Sequence, residues 1–227
     1  MRQISDKVFV DASLFDLEVA TPLLSSPYAI YPFLIIKNFL APSICQEIIT
    51  YCQEDQEATT AKLRSSKHGL DQHIRKTKIH QLTPQYLQIY EKALAPIRSQ
   101  IERFFTLSLT QATGPQVLEY TKGSFYKAHS DDSSVLVDKE GHLKGYKQVA
   151  PQRKVTTLLM LSQAGSDFQG GALQFNHFKD DAGVLLKLSL DQGDMVVFGS
   201  NPYYTHEVFE VTQGYRLSIA QWHDALL

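Results

Sequence analysis

Hydrophobic positions along this chain follow two periods, helical in the first half and strand-like in the second. Phe33-Leu34-Ile35-Ile36 is a continuous apolar run of strand length, and Pro42 then opens a segment in which Ile44, Ile48, Ile49 and Cys52 share one helical face. The next helix is better marked. Thr83 is an N-cap candidate with Pro84 at the first helical position, and Leu87, Tyr90, Leu94, Ile97, Ile101 and Phe104 follow at helical spacing. Pro96 has no N–H to donate and crowds the preceding turn, so it should kink or split this helix. From Gln116 onward the apolar runs shorten and are broken by glycine-rich turns, the pattern of a sandwich or barrel. The pattern predicts a mainly β protein with flanking helices (α+β). It forms one domain over 1–227, with strand and helical support in 1–112 and a stranded core in 113–227.

Composition narrows this picture without changing it. A chain of 227 residues can bury one substantial core. A net charge of −2 supplies no overall field toward nucleic acid or an anionic membrane. Met1 to Lys7 lacks the apolar centre of a signal peptide, and Ala29 to Ile36 is too short to span a bilayer, so no membrane partner and a cytoplasmic location are expected. Cys45 and Cys52, on one predicted helix, read as reduced core residues. Two polar stretches interrupt the scaffold. Glu54 to Lys78 carries Arg64, Lys67, His68, His73, Arg75 and Lys76, and Asp132 to Gln152 follows directly on a candidate site residue. Loops of this length are lids or solvated connections.

The chemistry is concentrated in three places. His129 and Asp131 are two apart, so on a strand both project to the same face. With His206 they make two imidazoles and one carboxylate, the facial triad of a non-haem iron(II) oxygenase, which leaves metal positions open for a co-substrate and dioxygen. Further on, Val208 to Val211, Thr212-Gln213-Gly214 and Tyr215 to Trp222 read as a hairpin whose Gly214 takes the left-handed position of a bulge. In that register Arg216 faces Glu210, four residues from His206 and on its sheet face, a separation of roughly 13 Å. That span suits a five-carbon dicarboxylate held at one end by the metal and at the other by a guanidinium.

Leu118 to Asp131, with Tyr120, Gly123, Tyr126, His129 and Asp131 at their spacings, resembles the Y-x-x-G-x-x-Y-x-x-H-x-D stretch of the prolyl 4-hydroxylase branch of the 2-oxoglutarate/iron(II) dioxygenases. Arg153 to Leu161 looks like that family's next core strand, Gly170-Gly171-Ala172-Leu173-Gln174-Phe175 like its G-G-x-L-x-F turn, and His206 to Arg216 like its H-x10-R ending. The resemblance implies that 113–227 is a double-stranded β-helix, or jelly-roll, catalytic core buttressed by the N-terminal helices, with Fe(II) held by His129, Asp131 and His206. It implies 2-oxoglutarate on Arg216, dioxygen as second co-substrate, and room for ascorbate as an accessory reductant. Ser218, Tyr120 and Thr156 are candidates for the rest of the co-substrate site, and Trp222, Tyr126 and Arg153 for the substrate side. One departure is Met160, where some relatives place a carboxylate-binding Tyr.

The implied reaction is hydroxylation of an unactivated C–H with release of succinate and CO2, and Asp131 favours it over halogenation, whose catalysts lack this carboxylate. The branch points to a prolyl residue in a protein or peptide, with a small molecule or free amino acid as the alternative substrate. Demethylation of nucleic acid fits less well, because those relatives carry a second Arg where Trp222 stands here. Two readings from other classes compete. A catalytic zinc hydrolase would use the same triad but leaves Arg216 unexplained, and an inactive jelly-roll binding module has no reason to keep both the ligands and the Arg. His68, His73, His80, His142, His177 and His223 have no second ligand at a telling spacing and read as surface or structural. Oligomeric state is not legible.

Overall fold

The computed structural model describes residues 2–5, 8–10, 30–55, 59–60, 74–140 and 142–226, and its internal contacts divide the chain into Met1–Ile30 and Tyr31–Leu227. In the first unit β1 (Arg2–Ser5) pairs antiparallel with β2 (Val8–Val10), Gln3 opposite Phe9.

The second unit opens with β3 (Leu34–Ile36) and α1 (Pro42–Glu54), close to the predicted bounds. The Thr83 hydroxyl accepts the Tyr86 N–H at 3.3 Å and caps α2 (Pro84–Leu94). Pro96 splits the long apolar stripe as expected: a 3-10 turn over Ala95–Ile97 separates α2 from α3 (Arg98–Phe105). Cys45, Ile48, Ile49 and Cys52 of α1, Tyr90 of α2 and Ile101 of α3 share one core with Val117, Val155, Leu159, Val197, Leu217 and Ile219. Each large aliphatic group buried there contributes about 1.5–3 kcal/mol. Burial pushes the Cys45 and Cys52 thiols up to about 12, so both are inert apolar fillers.

The remaining strands are β4 (Thr59–Thr60), β5 (Arg75–Lys76), β6 (Lys78–Gln81), β7 (Ser108–Ala112), β8 (Gln116–Thr121), β9 (Phe125–His129), β10 (Ser133–Val137), β11 (Leu143–Gln148) and β12 (Arg153–Met160). They continue with β13 (Phe168–Gly170), β14 (Leu173–Lys179), β15 (Leu185–Leu188), β16 (Met195–Gly199), β17 (His206–Val208) and β18 (Val211–Leu226). A large sheet runs β3-β16-β12-β18-β8-β6-β4, with β7 and β13 also on β18, and a smaller one runs β15-β14-β17-β9-β5. Among the described residues the pairs between these strands are antiparallel, the arrangement of a jelly roll. Alternation on β18 decides what faces what: Leu217 and Ile219 join the helix-covered core, while Ala220 and Trp222 line a cavity with Leu118 and Tyr120 of β8 and Thr156 and Leu158 of β12.

Two expectations are corrected here. The segment after His206 is no hairpin, because β17 and β18 belong to different sheets and the chain crosses between them at Phe209–Glu210. The crossing backbone is held by Phe209 N–H to the Ala172 carbonyl (3.0 Å), Gly171 N–H to the Glu210 carbonyl (3.0 Å) and Val211 N–H to the Ser124 carbonyl (2.9 Å). Gly214 does have positive φ (+81°), but inside β18. A Cβ there would lie 2.0 Å from the Asp167 carbonyl oxygen, so the glycine admits the start of β13 rather than turning the chain. Arg216 therefore pairs with Tyr120 in the large sheet, while His206 pairs with His129 in the small one.

The described parts of both polar stretches include strands. β4, β5 and part of β6 fall within Glu54–Lys78, whereas Arg64, Lys67, His68 and His73 lie outside the described residues. Asp132–Gln152 forms the β10–β11 hairpin, and buried Asp132 clasps its base. Its carboxylate accepts from the Ser130 and Ser133 hydroxyls and the Gln148 amide, and its carbonyl from Val149 and Ala150 N–H. Among the described residues no helix is long and apolar enough to cross a membrane.

His80 is structural. Its Nδ1 lies 2.8 Å from Asp55 and its Nε2 2.6 Å from Glu119, which also accepts from Tyr215 and pairs with Lys78. Burial works against the imidazolium, but the two carboxylates outweigh it and raise its pKa; burial likewise opposes the Glu119 carboxylate, and His80 and Lys78 hold it below its ordinary range. The His80 contribution to stability is complete below the ordinary imidazole value and fades as pH rises through the raised one. That of Glu119 is complete above the ordinary carboxylate range and fades as pH falls through its lowered value. His80→Gln should thus lower the unfolding temperature more at pH 6 than at pH 9, and a difference independent of pH would contradict the charged contact. Gly214→Ala should cost about 2–4 kcal/mol in denaturant unfolding; parental stability would mean that β13 can withdraw freely.

Candidate metal centre

His129 closes β9, His206 opens β17, and the two are direct partners across the ladder. The pairing brings the ring centroids within 4.3 Å. Each imidazole Nδ1 lies 2.9 Å from a backbone carbonyl two residues earlier, that of Lys127 for His129 and that of Tyr204 for His206. A carbonyl only accepts, so each Nδ1 carries the hydrogen and each Nε2 keeps a free lone pair. This is the tautomer a metal requires, fixed by the backbone before any metal is bound.

Asp131 does not share the strand with His129. β9 ends at His129, and Asp131 stands on the following bend, so the carboxylate is positioned by what it touches. The Thr156 hydroxyl donates to it at 2.7 Å and also meets the Ser200 hydroxyl at 2.9 Å, while Arg153 Nη1 donates to the Asp131 carbonyl at 3.1 Å. Thr156, one of the candidates for the carboxylate end of a co-substrate, thus serves the triad instead. One ligand atom from each of His129, Asp131 and His206 lies within 4.8 Å of the others, a set that could hold a metal ion.

Electrostatics favour the ligand forms. Burial first, then the neighbouring His206, pushes the His129 imidazole down to about 3, leaving it neutral. Burial opposes the Asp131 carboxylate, but His206, His129 and the Thr156 hydrogen bond outweigh it and hold its pKa below the ordinary value. Aromatic packing fixes the rings: Tyr126 stacks on His129 at 3.4 Å between centroids, and Phe198 meets His206 edge-on at 4.9 Å.

Arg216 is fully buried in the opposite sheet. Nη1 donates to the Ser218 hydroxyl at 3.4 Å and Nη2 meets the Met160 sulfur at 3.6 Å, while Nε has no hydrogen-bond partner. Its guanidinium stands 5.0 Å from the Tyr120 ring centroid and 5.9 Å from that of Phe168. Gly171 makes room for it, since a Cβ there would come within 2.9 Å of Arg216 Cδ. Among the described residues, weak acceptors and two ring faces leave this cation without an anion, an arrangement that fits one end of a dicarboxylate.

Tyr120, Tyr126, Thr156 and Trp222 line one cavity with the triad, whereas Arg216, Ser218 and Arg153 do not form its wall. Tyr120 touches both the cavity and Arg216, and Arg153 lies 4.4 Å over the Trp222 ring. One charged wall residue was missed from sequence: Arg75 of β5, buried and 4.6 Å from the Tyr126 ring centroid. Nothing in a mixed-charge stretch distinguished it.

Residues 115–224 match the model of the 2OG-Fe(II) oxygenase superfamily, while no curated protein matches the chain. The fold is similar to that of a Pseudomonas putida prolyl-4-hydroxylase, 22% identical over 88% of this chain and 96% of that one, with a TM-score of 0.63. It is also similar to a Trichoplax adhaerens prolyl hydroxylase in complex with a hypoxia inducible factor oxygen degradation domain peptide fragment (19% identity, 87% and 85% covered, TM-score 0.66). A third is the viral collagen prolyl hydroxylase of Paramecium Bursaria Chlorella virus-1 in its 2OG complex (18% identity, 86% and 96% covered, TM-score 0.56). The second half of the chain, residues 115–224, thus carries the pattern of the 2OG-Fe(II) oxygenase superfamily, whose members use Fe(II), 2-oxoglutarate and dioxygen.

Proposed function

We propose that this dioxygenase hydroxylates a prolyl residue in a protein or peptide, with Fe(II) held by His129, Asp131 and His206 and the far carboxylate of 2-oxoglutarate held by Arg216. The observation that carries the site assignment is the pairing of two imidazoles with pre-set tautomers and a buried guanidinium that lacks an anion. Bound there, Fe(II) would let dioxygen act as the oxidant, one of its oxygen atoms entering succinate as 2-oxoglutarate loses CO2 and the other entering the substrate C–H bond.

The chain's own residues position and protect. Carbonyls of Lys127 and Tyr204 keep both Nε2 atoms available, and Thr156 and Arg153 hold Asp131 from two sides. Arg216 and Ser218 supply the donors for the distal carboxylate, and burial strengthens that attraction. Met160 offers a thioether where some relatives place a Tyr, so Ser218 and Tyr120 are the hydroxyl-bearing residues beside Arg216. Tyr126 and Trp222, with Arg153 over its ring, form the substrate side of the cavity. The prolyl substrate rests on the motif order in the sequence and on the named activities of proteins that share the fold.

His129→Ala and His206→Ala should each abolish Fe(II) retention and succinate formation while leaving the circular dichroism spectrum intact. Metal content measured after dialysis, equal to the parent's, would sink the ligand assignment. Arg216→Ala should keep the iron but raise the 2-oxoglutarate concentration needed for half-maximal succinate production roughly ten- to a hundredfold. An unchanged requirement would remove Arg216 from the co-substrate site. Succinate formation stimulated by proline-containing peptides, and not by the same peptides with alanine in place of proline, tests the substrate.

A further inference from the structure

We propose that Arg75 is the receptor for a carboxylate carried by the molecule this site oxidises; the inference rests on the co-substrate reading above and narrows its substrate class. Arg75 is 8% exposed and lines the cavity that holds the triad. Its Nε and Nη2 are buried and have no hydrogen-bond partner among the described residues. These two N–H groups lie along one edge of the planar guanidinium, the edge that meets both oxygens of a carboxylate. The side chain is held in place from its face, by the Tyr126 ring at 4.6 Å, and Tyr126 in turn stacks on His129.

Among the described residues no other group of the site answers this edge. The Asp131 carboxylate is committed to Thr156 and to the triad, and its carbonyl takes Arg153. The co-substrate cannot serve both arginines, because one of its carboxylates chelates the metal and the other goes to Arg216 in the opposite sheet. The charges of Fe(II), 2-oxoglutarate, Asp131 and Arg216 cancel one another. Arg75 is then surplus positive charge in the buried wall. A neutral amide carbonyl would supply one acceptor and no charge, whereas a carboxylate supplies both acceptors and the missing charge. The oxidised molecule is therefore one with a carboxylate near the reacting C–H. A free amino acid, a C-terminal prolyl residue and a prolyl residue beside Asp or Glu share that chemistry.

Calorimetry on the full chain loaded with Fe(II) and 2-oxoglutarate, without oxygen, measures binding apart from turnover. The probes are matched pairs: L-proline and L-prolinamide, a peptide ending in proline as acid and as amide, and an internal prolyl peptide with Asp or Asn beside the proline. The other free amino acids and their amides complete the panel. At least one acid should bind tenfold or more tightly than its neutral partner, and the pair that does so identifies the source. Arg75→Met should bring acid and amide within about twofold of each other, Arg75→Lys should fall between, and 2-oxoglutarate affinity should not move in either. The inference is overturned if acids and amides bind the parent alike, if no acid binds, or if the preference survives in Arg75→Met, with water then the only partner of that edge. Arg75→Met should also leave the unfolding temperature of the unloaded chain within a few degrees, and a large fall would overturn the inference in favour of a structural arginine. A parent that binds 2-oxoglutarate yet shows no preference overturns Arg75 alone, whereas a parent that does not bind 2-oxoglutarate overturns the reading beneath it as well.

Discussion

The pairing of His206 with His129 across one ladder is the constraint on which the rest of the site depends. Short strands in the small sheet bring the two imidazoles side by side, and a backbone carbonyl two residues before each one fixes its protonated nitrogen. Neither feature needs a metal. The ladder would form for backbone reasons alone, and the carbonyls would otherwise lack these donors. A metal that binds here finds neutral imidazoles already turned, so little of its binding energy is spent on reorganising side chains.

From this pair the chain leaves in a direction the sequence did not reveal. Alternation of apolar and polar residues from Val208 to Trp222 is the same whether the chain doubles back as a hairpin or crosses to the other sheet. Gly214 was no arbiter either, because positive φ satisfies a bulge and a close backbone approach equally well. The crossing decides where Arg216 lies: next to Tyr120, in the sheet opposite the imidazoles, so a dicarboxylate would bridge the two layers rather than run along one.

Legibility therefore tracked how local each signal was. Caps, prolines and three-four spacing placed the helices, since those signals act within a turn or two. The triad was legible because H-x-D with a distant His is a chemical pattern, although its geometry was not: Asp131 owes its place to Thr156, twenty-five positions away, rather than to strand alternation. Asp132 and Arg75 left no mark. An acid in a polar stretch and an arginine among lysines look solvated until folding buries them, and the partners that reveal Asp132 as a clasp and Arg75 as unpaired come from other elements.

The two arginines also set a limit on stability. A buried guanidinium without an anion disfavours the folded chain by its desolvation, which the Tyr120 and Tyr126 ring faces offset only in part. Packing of α1–α3 on the outer face of the large sheet supplies the apolar burial that tolerates this cost. The same outer layer carries Glu119, on β8 directly beside Tyr120, between His80 and Tyr215, which is on β18 directly beside Arg216. Strand alternation thus binds the two faces together: the ion network fixes Glu119 and Tyr215 outward, and in doing so commits Tyr120 and Arg216 inward, because a strand cannot turn one neighbour without turning the next.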